Sequence, residues 1–248
     1  MFKQNVMICS MVAKSYKWVL FATVLSIAVS CGDKPEETPT KSKPKASAQK
    51  KDSTITDSSV KNIIFYGNSL TAGYGVDPSE AFPSLVQEKI DSAHLAYKVI
   101  NAGLSGETTA GGKGRIDWIL QQPVDVFVLE LGGNDGLRGI PVRETSKNLQ
   151  FIIDHVKQKY PSAKIILAGM QIPPNMGARY TSEFRAAFKQ LADKNQVLFI
   201  PFLLEGVGGI PELNQADGIH PTAKGHKIVA NNVWAVMKDV VAADAVKP

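Results

Sequence analysis

The sequence predicts an α/β fold: a parallel β-sheet with helices on both faces, three layers in one domain over residues 61–248. Two features carry this prediction. Five short, mainly apolar runs lack strict alternation, as strands covered on both faces require. The stretches between them place apolar residues three and four apart and are long enough for crossover helices, so the strands run parallel.

In chain order, residues 1–30 read as a leader. Lys14 and Lys17 precede an apolar run from Trp18 to Val29, too short to span a bilayer but suited to the apolar segment of a signal peptide. Ala28-Val29-Ser30-Cys31 resembles a bacterial lipoprotein box, in which the cysteine becomes the lipidated first residue; a plain secretory signal is the alternative. Residues 31–60 are rich in Lys, Ser, Thr, Pro, Glu and Asp and hold no aromatic side chain. Such a stretch cannot bury enough apolar surface to offset its ordering entropy, so it is expected to be a disordered tether about 30 Å long.

Beyond the tether, Ile63–Tyr66 reads as the first strand, and Ser79 as the N-cap of a following helix. Lys98–Ile100 and Val124–Leu129 are the second and third strands. Leu149, Ile152, Ile153, Val156 and Tyr160 mark the buried stripe of a helix. Ile165–Ala168 and Val197–Ile200 complete the sheet, and a last helix capped by Thr222 buries Val229, Val233, Trp234, Met237 and Val241. In such sheets the ligand-bearing loops lie at the carboxyl ends of the strands, near the point where strand order reverses.

Charge and cysteine content narrow the function. The formal charge is +5. Residues 1–30 carry three lysines and no acid, and residues 31–60 six lysines against five acids. From Lys61 onward there are nineteen basic and eighteen acidic residues. The domain lacks the charge asymmetry that a binder of phosphate backbones needs, so nucleic acid is not an expected partner. Both cysteines, Cys9 and Cys31, precede the domain, which excludes a disulfide, a thiolate metal site and a cysteine nucleophile within it.

Asp217 and His220 stand three apart in Asp217-Gly218-Ile219-His220-Pro221, and Ser69 lies far upstream in Gly67-Asn68-Ser69-Leu70. A neutral histidine takes a proton from a serine hydroxyl only if its other ring nitrogen donates to a fixed acceptor, and a carboxylate supplies that acceptor. A metal reading of Asp217 and His220 lacks an evident third ligand. Ser69 has a plainer reading as a turn residue capping the next helix, and Thr71 stands where an α/β-hydrolase elbow would have its second glycine. His94 and His155 have duller explanations, and His226, in the first turns of the last helix, reads as a packing or surface residue.

Two further blocks lie between these ends: Asn101-Ala102-Gly103-Leu104-Ser105-Gly106-Glu107-Thr108 and Glu130-Leu131-Gly132-Gly133-Asn134-Asp135-Gly136. The four blocks in this order resemble the SGNH hydrolases, also called GDSL esterases. The run Glu130–Gly139 (ELGGNDGLRG) looks most like the branch of thioesterase I, lysophospholipase and arylesterases. The resemblance implies a flavodoxin-like strand order of 2-1-3-4-5. It implies Ser69 as nucleophile, His220 as base and Asp217 as its partner, with an oxyanion hole made of the Ser69 and Gly106 backbone N–H groups and the Asn134 side chain. Gly103 competes with Gly106 and would serve the turn, while Asp135 reads as structural. The family usually has aspartate where this chain has Asn68. Gly136–Gly139 and Met170–Asn175 look like substrate-side loops.

The expected activity is hydrolysis of small acyl esters, thioesters or lysophospholipids by a lipid-anchored protein of the bacterial cell envelope. The mechanism calls for no cofactor and no metal. A carbohydrate deacetylase of the same superfamily and a non-catalytic, flavodoxin-like binding lipoprotein are the alternatives.

Overall fold

The structure, a computed structural model, describes residues 60–245. The expected leader, the lipidation site Cys31 and the expected tether up to residue 59 lie outside the described residues.

Five parallel strands form one sheet: β1 (Lys61–Gly67), β2 (Tyr97–Gly103), β3 (Val126–Glu130), β4 (Lys164–Ala168) and β5 (Leu198–Ile200). Their order is β2-β1-β3-β4-β5, the order implied by the resemblance. β1 from Ile63 onward and all of β3 are buried, which is why Ile63–Tyr66 and Val126–Leu129 are apolar at every position. Successive strand residues point to opposite faces, and β1 shows what covers each. Phe65 packs edge-on against Phe82 of α2 (Phe82–Ser92). Its neighbour Tyr66 donates its hydroxyl to the Gly112 carbonyl of α3 (Thr109–Ile119) at 2.5 Å. Helices α2 and α3 therefore lie on opposite faces. α2 packs on the last helix, α7 (Ala223–Ala245), while α3 packs on α5 (Val142–Lys159) and α5 on α6 (Ala178–Asn195). Two single-turn helices, α1 (Ser69–Ala72) and α4 (Gly133–Leu137), follow β1 and β3 directly.

Several boundaries differ from the sequence expectation. Ser79 caps no helix: it sits inside a 3-10 turn, Pro78–Glu80, whose cap is Asp77, and α2 begins after it with Ala81 as an N-cap that makes no side-chain hydrogen bond. Thr222 does occupy the cap of α7, its Oγ1 accepting from the Gly225 N–H at 3.4 Å. Tyr160 lies one residue past α5, where it still packs against the core while its hydroxyl is shared between the carbonyls of Leu120 and Gln122. β2 runs on to Gly103, because polar Asn101 at the exposed edge of the sheet still finds backbone partners.

His226 is a packing residue. It is buried between α7 and α2, stacks on the Phe82 ring, and accepts the Phe82 N–H at Nδ1 over 3.2 Å. That N–H is one of the donors a helix start leaves unpaired. Burial, with a smaller push from His220, lowers the His226 pKa to about 4. An unfolded histidine titrates near 6.5, so below that value the unfolded chain binds a proton that the folded one refuses. This stabilising contribution is complete above pH about 6.5 and drains away as pH falls toward about 4. Glu130, whose pKa is held up at about 7, shifts stability the opposite way over nearly the same range, so the His226 contribution is read from the difference between wild type and a variant without it. His226→Phe should melt lower than wild type at pH 7, and the gap should narrow as pH falls toward about 4; a gap that does not change with pH would contradict this assignment.

Candidate active site

The parallel register sets Gly67 of β1 level with Gly103 of β2 and Glu130 of β3. Three strand ends thus meet at one height. A Cβ on Gly67 would overlap Thr71 Oγ1 and the Glu130 carboxylate, and one on Gly103 would overlap the backbone of Ala72. Glycine at both places lets the turn after β1 settle between its neighbours. Asn68 starts that turn, with Oδ1 accepting the Leu70 N–H at 2.9 Å, and Gly73, left-handed at φ 75°, ends it. Ser69 stands at the first position of α1, 8% exposed.

Glu130, to which sequence reasoning gave no role, lies fully buried under this turn. Its Oε2 accepts the Asn68 N–H (3.1 Å) and the Thr71 hydroxyl (2.7 Å), and its Oε1 accepts Asn68 Nδ2 (2.8 Å). Burial pushes its pKa up to about 7, against the lowering effect of the Thr71 and Asn68 hydrogen bonds. The available signal was a charged residue ending an otherwise apolar strand.

The second wall comes from the loop before α7. Asp217 Oδ1 accepts the N–H groups of Ile219 (2.9 Å) and His220 (3.0 Å), with Gly218 left-handed at φ 69° between them. Asp217 Oδ2 lies 2.6 Å from His220 Nδ1, and His220 Nε2 lies 2.8 Å from Ser69 Oγ. A carboxylate only accepts, so Nδ1 carries the proton and Nε2 is left to accept from Ser69. The His220 side-chain hydrogen bond leads in holding Asp217 down at about 2. Tyr74 packs on the imidazole, ring centres 4.7 Å apart. Gln215 ties this loop to the serine turn, donating to the carbonyls of Tyr74 (2.7 Å) and Pro221 (3.0 Å). Ser69, His220 and Asp217 can thus act as a proton relay from hydroxyl to imidazole.

Asn134, in α4, completes the third side. Its Nδ2 donates to the Glu107 carbonyl at 3.0 Å, which uses one of the two amide hydrogens and leaves the other for a ligand. Glu107 is held by Arg115, which also bonds the Ala102 carbonyl (2.8 Å) and lies over the Tyr66 ring. Gly106 is left-handed (φ 79°), and its carbonyl accepts from Arg138 at 3.0 Å. Gly103, by contrast, serves close packing. Asp135 is buried and accepts from Thr109 and Thr145, joining α4 to α3 and α5.

Ser69, His220 and Asn134 line one cavity of about 440 Å³. Gly106 is not in its lining and is joined to it through the loop that Asn134 holds. Of the expected substrate loops, Leu137 and Met170–Pro174 line the cavity. Phe202, Leu204, Gly208 and Gly209, after β5, line it too and were not anticipated; their place at a strand's carboxyl end was the clue. Among the described residues no three His, Cys, Asp or Glu side chains gather as a metal site would need.

The sequence profile of the GDSL-like Lipase/Acylhydrolase family matches residues 65–228. Esterase TesA of Pseudomonas aeruginosa is 36% identical over 182 residues, 73% of this chain and 90% of that protein. Thioesterase 1/protease 1/lysophospholipase L1 of Escherichia coli K12 is 37% identical, over 68% of this chain and 79% of that protein. The crystal structure of the psychrotrophic esterase EstA from Pseudoalteromonas sp., inhibited by monoethylphosphonate, superposes with a TM-score of 0.68 at 32% identity, over 73% of this chain and 99% of that one.

The tight junction of the strand ends gives a test. Gly103→Ala should push the serine turn out of place at a cost of about 1–3 kcal/mol of stability from overpacking. A lower melting temperature and slower labelling of Ser69 by a fluorophosphonate are expected; unchanged values in both would show that the junction has slack.

Proposed function

This chain belongs to the GDSL-like lipase and acylhydrolase family, a hydrolase of ester bonds, and from that premise we propose that it cleaves acyl esters or thioesters through a covalent Ser69 intermediate. The observation that carries this reading is the continuous chain from Ser69 Oγ to His220 Nε2 (2.8 Å) and from His220 Nδ1 to Asp217 (2.6 Å). Ser69 Oγ attacks the acyl carbon while its proton passes to Nε2, and Asp217 stabilises the resulting imidazolium. The carbonyl oxygen, now negative, takes donors from the Ser69 and Gly106 backbone and from the free N–H of Asn134. Collapse expels the alcohol or thiol, which leaves with the proton from His220. Water, activated in turn by His220, then releases the acid.

The cavity favours an apolar acyl group. Leu137, Met170, Ile172, Pro173, Phe202, Leu204 and Ile219 form its apolar lining, which outweighs the polar side chains of Gln171 and Asn214 beside them. This supports acyl esters, among them the thioesters and lysophospholipids that the name of the Escherichia coli relative gives, over acetylated carbohydrates. Placement in the cell envelope rests on the sequence alone: a lysine-flanked apolar run ending at Ser30-Cys31. A lipid on Cys31 would keep the domain at a membrane and away from cytoplasmic acyl-CoA, which turns the reading toward lipid and aryl esters.

Ser69→Ala should abolish ester hydrolysis and leave the melting temperature nearly unchanged. Asn134→Ala should lower kcat by roughly 10²–10³ with little effect on KM, because its second N–H is used mainly in the transition state. Steady-state kinetics on p-nitrophenyl esters decide both; substantial turnover by the serine variant would end this mechanism, and a change in KM alone would move Asn134 to substrate binding. Cys31→Ser should shift the protein from the detergent to the aqueous phase, and an unchanged partition would remove the anchor.

A further inference from the structure

Asn68 and Glu130 are paired in one sense only. Asn68 Oδ1 is committed to the Leu70 N–H (2.9 Å) and lies 3.4 Å from Ser69 Oγ, while its Nδ2 is committed to Glu130 Oε1 (2.8 Å). Flipping the amide would set oxygen against carboxylate and N–H against N–H. The other carboxylate oxygen is taken by the Asn68 N–H and the Thr71 hydroxyl. All of these donors belong to the turn that presents Ser69. No Lys, Arg or His forms an ion pair with Glu130 among the described residues, so its carboxyl group rests on the hydrogen bonds of the turn.

We propose, on the reading of Ser69 as nucleophile, that Glu130 is its positioning residue: the carboxylate clamps the Asn68–Thr71 turn from below, and Asn68 transmits that hold to the serine. Asparagine at 68 is matched to this task. The aspartate usual in the resembled family would face Glu130 with a like charge, and the two could stay together only by sharing a proton. This chain keeps one buried carboxylate under its nucleophile and satisfies it with an amide. The burial that raises the Glu130 pKa to about 7 would make such a shared proton harder still to lose near neutrality.

Three near-isosteric variants test the pairing in the full-length protein. Glu130→Gln keeps one acceptor oxygen, so whichever way its amide turns an N–H meets a donor of Asn68, either Nδ2 or the backbone N–H, and kcat should fall by about tenfold or more with KM little changed. Asn68→Asp should work near pH 6, where one proton bridges the two carboxyls, and lose kcat as pH rises and that proton leaves; wild type should lack this alkaline fall. The double variant Asn68→Asp/Glu130→Gln restores a donor facing an acceptor with polarity reversed. It should recover most of the kcat lost in Glu130→Gln and have no alkaline fall.

A merely space-filling Glu130 predicts no such rescue. The proposal is overturned if Glu130→Gln keeps wild-type kcat, if Asn68→Asp keeps the wild-type pH profile, or if the double variant is as slow as Glu130→Gln. Should one single variant fail to fold, the pH profile or rescue measured on the others still decides. Fluorophosphonate labelling of Ser69 in wild type separates the two layers of the claim. Without it both the nucleophile and its clamp fall, whereas labelling without rescue removes the clamp alone.

Discussion

The register of β1 between β2 and β3 is the constraint on which the site depends. It puts Gly67, Gly103 and Glu130 at one level, so a backbone turn, a strand end and a buried carboxylate share a space with no room for two more Cβ atoms. Burying a carboxylate without a cation is costly unless hydrogen bonds replace its water. Here the donors come from the Asn68–Thr71 turn itself. The same bonds that offset the burial also determine where Ser69 points. Packing and site geometry are one arrangement at this point.

Two carboxyl groups flank the proposed nucleophile, and their surroundings send them in opposite directions. Asp217, partly open to solvent and bonded to His220 by side chain and backbone, is held down at about 2 and stays charged through any physiological range. Glu130, sealed beneath the serine turn, is pushed up to about 7 by burial. The first suits a group that must accept the Nδ1 hydrogen and face a transient imidazolium. The second suits a group whose work is to fix a turn. Pairs of titratable groups driven apart by environment mark division of labour in active sites.

Much of this was legible in the sequence. Mainly apolar strands without strict alternation and three-four helical spacing gave the parallel α/β sheet, and four motif blocks gave the family and the strand order. Ser69, Asp217, His220 and Asn134 stood out because their side chains carry unusual chemistry at recognisable spacing. Glu130 did not, since its meaning lies in a cross-strand register that joins it to Gly67, and no local pattern encodes register. Phe202 and Leu204 carried no signal of their own, because only the folded loop brings these apolar residues to the cavity. Ser79 misled in the other direction: a good capping residue next to a proline was taken up by a 3-10 turn before the helix began.

The central claim is that Ser69 attacks the acyl carbon while Ser69 N–H, Gly106 N–H and Asn134 receive the oxyanion. A crystal structure of the protein inactivated by a monoalkyl phosphonate tests it most directly, because the tetrahedral phosphorus occupies the position of the reacting carbon. The account predicts a covalent bond from Ser69 Oγ to phosphorus, one phosphoryl oxygen within hydrogen-bond distance of those three donors, and His220 still bonded to Asp217. Phosphorus on another residue, or a phosphoryl oxygen turned away from Asn134 and Gly106, would contradict it.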